Sequence, residues 1–252
     1  MKTEGKLNMT MLCDFYELTM GNGYFESGYK DHITYFDVFF RRVPDGGGFA
    51  IAAGLEQLID YIENLHFSPE DIAYLRGRNL FSEEFLSYLE DFHFTGDIYA
   101  MPEGTPVFPR EPMVIVRAKA IEAQLIETFT LLTINHQSLI ATKANRIARA
   151  ARGRTVLEFG SRRAQGADAA IIGARAAYIG GVACLLYTSL TRSTAFPPAA
   201  PWPMRGCRCS IRSMTPSRPT ARSIPTTPRC WWIPTMCSSP ACRMPSGPLM
   251  RC

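Results

Sequence analysis

The stretch T-V-L-E-F-G-S-R-R-A-Q-G, Thr155 to Gly166, sets a short apolar run against a glycine, two arginines and a segment of small residues. Thr155, Val156, Leu157 and Phe159 carry the β-branched and apolar bias of a strand covered on both faces, and Gly160 supplies a turn. Gly166 to Tyr178 then reads as a helix, so strand, basic turn and helix make one βα unit. In α/β sheets, open or closed, ligands gather at the carboxyl ends of the strands. Arg162 and Arg163 stand at that end, and a guanidinium is planar, offers paired donors and keeps its charge, so the pair suits a phosphate or carboxylate. The plainer reading is a solvated arginine pair at a strand end.

Upstream, Ala148 to Arg154 (A-R-A-A-R-G-R) reads as a solvated helix end with cations complementing the dipole. Ala120 to Ala151 is the longest helical region, with Ile121, Leu125, Phe129, Leu132, Leu139 and Ile140 apolar; Asn135 and His136 interrupt it, as a helix break or as a substrate-facing pair. Gly96 to Lys119 reads as short strands joined by proline turns. Gly54 to Leu65 places Leu55, Leu58, Ile59, Ile62 and Leu65 at helical spacing. Ser68 and Ser82 read as N-caps of two short helices, about 69–77 and 83–91, with acids in their first turns. His66 and His93 have no metal-spaced partner and read as structural. Thr34 to Val43 is a strand running into Pro44–Gly48, with Arg41 and Arg42 at its end; the glycine triplet is neither G-x-G-x-x-G nor a Walker loop. Leu12 to Ser27 reads as a first helix, broken at Gly21, Gly23 and Gly28, and by periodicity alone Tyr16 is a core aromatic.

Composition divides the chain in two. Of the 27 basic and 23 acidic residues, every acid and all four histidines precede Cys184, whereas the rest carries nine Arg and no Lys, Asp or Glu. Twelve of the 18 prolines and seven of the eight cysteines fall there too, which leaves Cys13 alone in the first part, without a disulfide framework or a metal-ligand set. No signal-peptide pattern or membrane-length apolar run is present, so a cytoplasmic protein is expected.

The block E-F-G-S-R-R-A-Q-G at Glu158–Gly166 resembles the signature of nicotinate phosphoribosyltransferases, and T-M-L-C-D-F-Y-E-L-T-M at Thr10–Met20 resembles their N-terminal block. F-F-R-R-V-P at Phe39–Pro44 and N-H-Q-S-L-I-A-T-K-A-N-R at Asn135–Arg146 add to the likeness, which covers about residues 9–183. The resemblance implies an α/β fold of the type II phosphoribosyltransferase kind: an N-terminal α+β domain over 1–119, then the helix and first βα unit of an incomplete α/β barrel over 120–183. It also implies transfer of phosphoribosyl from its pyrophosphate to nicotinate, coupled to ATP hydrolysis with Mg2+, in a homodimer that binds neither nucleic acid nor membrane. This is ligase or glycosyltransferase chemistry, and a relative acting on nicotinamide or quinolinate is the sister reading. By motif match Tyr16 stacks on the pyridine ring, Arg162 holds its carboxylate or a nearby phosphate, Arg163 and Glu158 support it, and Arg41, Asn135 and Thr142 are weaker substrate-binding candidates. The histidine that the family phosphorylates lies in a G-T-M-A-H block missing here, so no catalytic residue and no metal ligand is assigned.

Residues 184–252 read as an aberrant, out-of-frame tail, irregular in structure. After Tyr187 the sequence lacks Tyr, His, Gln, Asn, Lys, Asp and Glu. Those are the residues whose codons carry A in second position, and a shifted frame in a GC-rich gene removes them as a set. Joining the last base of each codon to the first two of the next turns Cys230–Ile233 into Leu, Val and Asp with no freedom, and Cys230–Pro245 can decode as L-V-D-T-Y-N-V-L-K-S-G-V-P-N-A. Pro201–Ile211 can likewise decode as M-A-H-A-W-V-Q-M-F-D. Both strings resemble later blocks of the same family. Cys184–Ser189 resembles the translation of a sequencing adapter, so an assembly artefact is expected, with a natural frameshift as the alternative. The chain as written is accordingly expected to be a catalytically inactive fragment.

Overall fold

The computed structural model describes residues 8–184. The expected out-of-frame tail, with its predicted irregularity, lies outside the described residues apart from Cys184. The order of elements is α1 (Phe15–Glu26), β1 (Ile33–Val38), β2 (Ala50–Ile51), α2 (Leu55–Glu63), α3 (Pro69–Arg76), α4 (Glu83–Glu90), β3 (Asp97–Ala100), β4 (Pro106–Val107), β5 (Val114–Lys119), α5 (Ala120–Leu125), α6 (Glu127–Ala150), β6 (Leu157–Glu158), α7 (Ala167–Ile179) and β7 (Ala183–Cys184). Short 3-10 turns lie at Pro44–Gly46 and Gly160–Arg163.

β5 is the middle of a three-stranded antiparallel sheet ordered β1-β5-β3. Ile33 faces Lys119 and Val38 faces Val114 across one edge; Asp97 faces Arg117 and Ala100 faces Val114 across the other. Alternation does the sorting: Val114, Val116 and Ala118 point into the core while Ile115, Arg117 and Lys119 are partly exposed. Helices α1 to α5 cover the inner face. Phe85, Leu86, Leu89, Leu58, Leu75 and Ile121 are completely buried there. Phe85 meets Phe25 edge-on at 5.8 Å, and Tyr61 stacks on Phe129 at 3.8 Å. The core runs on through Ile121, Leu125 and Ile134, so the expected division after Lys119 does not coincide with a break in packing.

A second, smaller core forms on the far half of α6. There α7 packs by small residues: a methyl added at Gly180 would stand 2.5 Å from the Ala141 carbonyl oxygen and 2.7 Å from Ala144 Cβ. Val156, Ala177 and Val182 fill the space beneath β6 and β7, which pair in parallel, Leu157 with Ala183 and Glu158 with Cys184. The expected βα unit is therefore present, with corrections. The strand is two residues long rather than five, and Thr155 and Phe159 are exposed, because β7 is its sole neighbour among the described residues. The helix starts after Gly166, whose φ of 111° a side chain would resist.

Three further expectations are corrected. α1 runs through Gly21 and Gly23 and stops only at Ser27; Gly21 is inside the helix because Phe85 leaves it little room, a methyl there coming within 3.3 Å of Phe85 Cζ. The long helical region breaks at Ile126, not at Asn135 and His136, which continue α6. β1 ends at Val38, five residues early, so Arg41 and Arg42 sit in a bend that follows the strand. Ser68 caps α3 as expected, accepting the Asp71 N–H at 3.2 Å while Asp71 accepts the Ser68 N–H at 2.9 Å. Ser82 occupies the N-cap position of α4, yet its hydroxyl bonds Asn22 at 3.2 Å instead.

Candidate active site

The turn Gly160–Arg163 follows β6 directly and leads into α7, so both arginines leave the chain at the carboxyl end of a parallel strand. Arg162 and Arg163 are exposed. Glu158, 8% exposed, turns its carboxylate back on this turn and accepts the Gly160 N–H. Burial pushes its carboxyl above the usual range, and the Gly160 bond draws it partly back. What Glu158 touches is thus the turn that carries the arginines.

Tyr16 is in the first turn of α1, which packs against α5 and α4 over the larger core. Its ring is 46% exposed, which corrects the core reading and leaves an aromatic face available. The two arginines and Tyr16 consequently belong to different cores. Arg41 is exposed after β1, and Asn135 is exposed on α6. Thr142 is 3% exposed, accepts the Ile51 N–H at 2.8 Å and donates to the Ser138 carbonyl at 2.5 Å. Its hydroxyl is spent tying β2 to α6, so Thr142 does not face an opening. Ser138 makes the neighbouring tie, accepting the Ala53 N–H at 3.1 Å.

The sequence reading missed an ionic cluster gathered around a buried arginine. Arg175, 3% exposed in the middle of α7, donates to Glu103 at 2.9 and 2.6 Å, to Glu56, and to Gln137 at 3.4 Å. Glu103, in the β3–β4 turn, also accepts the Gly54 and Leu55 N–H groups at 2.6 and 3.0 Å, so one carboxylate caps α2 and anchors α7. Burial works against both charges; the Glu103 bonds nevertheless hold Arg175 above its ordinary value, and Arg175 with the two amides holds Glu103 below. The available signal was a lone arginine inside an alanine-rich apolar helix, since such a charge is buried only when paired. Among the described residues no group of three or more His, Cys, Asp or Glu could hold a metal ion, and no helix is long and apolar enough to cross a membrane.

A helical α+β layer followed by a parallel βα unit with cations at the strand's carboxyl end is the architecture of a type II phosphoribosyltransferase. A nicotinate-nucleotide pyrophosphorylase from Pyrococcus furiosus shares this fold, with a TM-score of 0.54 at 24% identity, covering 72% of this chain and 40% of that one. Residues 11–135 match the nicotinate phosphoribosyltransferase N-terminal domain, and the chain belongs to the nicotinate phosphoribosyltransferase family. It is 46% identical over 173 residues to a nicotinate phosphoribosyltransferase of Mycobacterium tuberculosis, covering 69% of this chain and 37% of the relative. To one of Bacillus subtilis it is 48% identical over 174 residues, covering 69% and 36%. The crystal structure of human nicotinic acid phosphoribosyltransferase superposes with a TM-score of 0.65 at 33% identity, covering 69% of this chain and 35% of that one. The chain thus matches little more than a third of the length of these relatives.

Proposed function

We propose that the intact protein joins nicotinate to phosphoribosyl pyrophosphate, releasing pyrophosphate and forming nicotinate mononucleotide for NAD synthesis, coupled to ATP hydrolysis. The observation that carries this reading is the arginine pair at the carboxyl end of β6, set in the E-F-G-S-R-R-A-Q-G block of a chain belonging to this family. Displacement at the anomeric carbon of the ribose builds oxocarbenium character while negative charge collects on the leaving pyrophosphate. Fixed cations that need no reorganisation lower that barrier, and Arg162 and Arg163 are placed to supply them or to hold the pyridine carboxylate. Glu158 keeps their turn in shape, and the exposed ring of Tyr16 offers a flat surface for the pyridine.

Because Tyr16 and Arg162 stand on different cores, a homodimer in which one protomer's α1 approaches its partner's arginines fits this reading. Mg2+ is proposed to arrive on the substrate phosphates, since it keeps water and phosphate ligands and needs few carboxylates from the protein. ATP and a cytoplasmic location belong to the same proposal. The reading is tested on the enzyme with its frame restored, by transfer of phosphoribosyl to labelled nicotinate, nicotinamide and quinolinate. Nicotinate should be the preferred acceptor; preference for either of the others overturns it. Arg162→Lys should lower kcat/KM for nicotinate by about 2–4 kcal/mol, because lysine keeps the charge but loses the planar fork. Unchanged nicotinate kinetics would return Arg162 to a surface role. The 252-residue chain as written should be inactive.

A further inference from the structure

Glu17 is the neighbour of Tyr16 and is completely buried. Its Oε1 accepts the Thr128 hydroxyl at 2.7 Å, and the oxygen of that hydroxyl accepts the Asp14 N–H at 3.4 Å. Asp14 is the N-cap residue of α1, and its own side chain makes no capping bond. The start of α1 is therefore secured from outside, by the first turn of α6. The other carboxyl oxygen, Oε2, is buried with no protein partner, and so is the Tyr61 hydroxyl. Tyr61 comes from α2 and stacks on Phe129, the residue after Thr128.

An apolar side chain at this position would avoid the cost of a half-satisfied buried acid, so the carboxyl needs a reason to be there. The charges around it sharpen the point. Burial, with Glu127 and Asp14 nearby, pushes the Glu17 carboxyl up to about 7, against the pull of the Thr128 hydroxyl and backbone N–H. Cys13 before α1, with its thiol pushed up to about 12, and Tyr61 from α2 face it as neutral groups; the Tyr16 phenol beside it is also raised.

We propose that Glu17 is a positioning residue for Tyr16, tying the first turn of α1 to Thr128 on α6 and so fixing the direction in which the exposed ring leaves the helix. The neutral carboxyl keeps the tie. Ionised, the carboxylate keeps the Thr128 bond at Oε1 but is a buried charge satisfied on one side only, which draws water to Oε2 and loosens the first turn. The value of this to a ring substrate rests on the nicotinate reading; the anchoring does not, and no nicotinate enters the test.

The test is amide hydrogen exchange on the complete 252-residue chain, followed in peptides spanning residues 12–21 and corrected for intrinsic rates. It is run at pH about 6 and about 8, on either side of the shifted carboxyl value. The unsubstituted chain should lose up to roughly tenfold of its protection in this segment on the alkaline side. Glu17→Gln, which keeps an acceptor for Thr128 and cannot ionise, should stay protected at both. Thr128→Val, which removes the bridge but keeps the shape, should be unprotected at both. Peptides from α7 should not change. Tyr16 should be nitrated several-fold faster by tetranitromethane in Thr128→Val, with Tyr99 on the outer sheet face unchanged as reference. Protection that ignores pH in the unsubstituted chain, or a Thr128→Val chain as protected as the original, overturns the tie; a Tyr16 nitration rate that does not move overturns the positioning.

Discussion

The largest core of the described residues and the smaller one between α6, α7 and the β6–β7 pair are held by different physics. The larger one closes on itself with aromatic and aliphatic side chains, Phe85, Leu86, Leu89 and Leu58 all without solvent contact. The smaller one has mostly alanines to bury, a two-residue pair of strands and a helix that lies close on α6. With so little apolar area per residue, its hydrophobic gain is modest. Besides its packing on α6 and against Ile51 and Ala53, α7 is tied by the Arg175 cluster, which reaches across to the N-terminus of α2 and to the β3–β4 turn. One region is stable because it excludes water. The other adds to its close small-residue packing four polar side chains that meet around Arg175.

That contrast can be broken most forcefully at Arg175. Arg175→Ala leaves Glu103 with the Gly54 and Leu55 amides alone and returns the exposed Glu56 to water, and should cost about 3 kcal/mol, the low end for a broken buried pair. The loss should be local: exchange protection should collapse in α7 and β6 while β1, β3 and β5 keep theirs. Uniform loss would mean that the cores are not separable. Next comes pH, which probes the larger core. The folded value of the Glu17 carboxyl is raised to about 7, so its contribution is complete below the unfolded value near 4.5 and is lost as pH rises through about 7. The decline should amount to about 2–3 kcal/mol, and Glu17→Gln should flatten it, in denaturant titrations at pH 5 through 8. Gly180→Ala should cost about 1–3 kcal/mol by forcing α7 off α6, again with the loss confined to the smaller core. Ser68→Ala should be mildest, about 1 kcal/mol in Tm-derived stability, and should act on α3 alone.

The larger core was the more legible of the two. Helical spacing at Leu55, Leu58 and Ile62 and the capping pattern S-P-E-D report local preferences that tertiary packing endorses, so α2 and α3 appear within a residue or two of expectation. Breaks were harder. Gly21 carries a cost within a helix, but the cost is smaller than the gain from packing close to Phe85, while Gly23 faces open space. Asn135 and His136 look like a break by composition, whereas the real one falls at Ile126, between Leu125 and Glu127, where local sequence carries no Gly or Pro stop signal. The arginine pair was readable because a strand, a turn and a helix surround it in the chain. The Arg175 cluster was not, since its members Glu56, Glu103, Gln137 and Arg175 meet only once four separate elements are in place. Thr142 carried a motif match and proved to be occupied by the Ile51 amide, a partner that nothing local announces.

The sheet register bears on how the chain is made. Ile33 pairs with Lys119, and Val38 with Val114. At about 5–20 residues per second, the roughly 80 intervening residues take on the order of 4–16 s to synthesise. Throughout that interval β1, with Tyr35 and Phe36, has no strand to join, since β5 is the one it pairs with and β3 reaches the sheet only through β5. A nascent chain in this state presents an unpaired apolar edge for seconds, the condition under which edges find other chains. Expression at lower temperature lengthens that wait along with every competing encounter, whereas a holdase that covers Ile33–Val38 shortens the list of competitors alone.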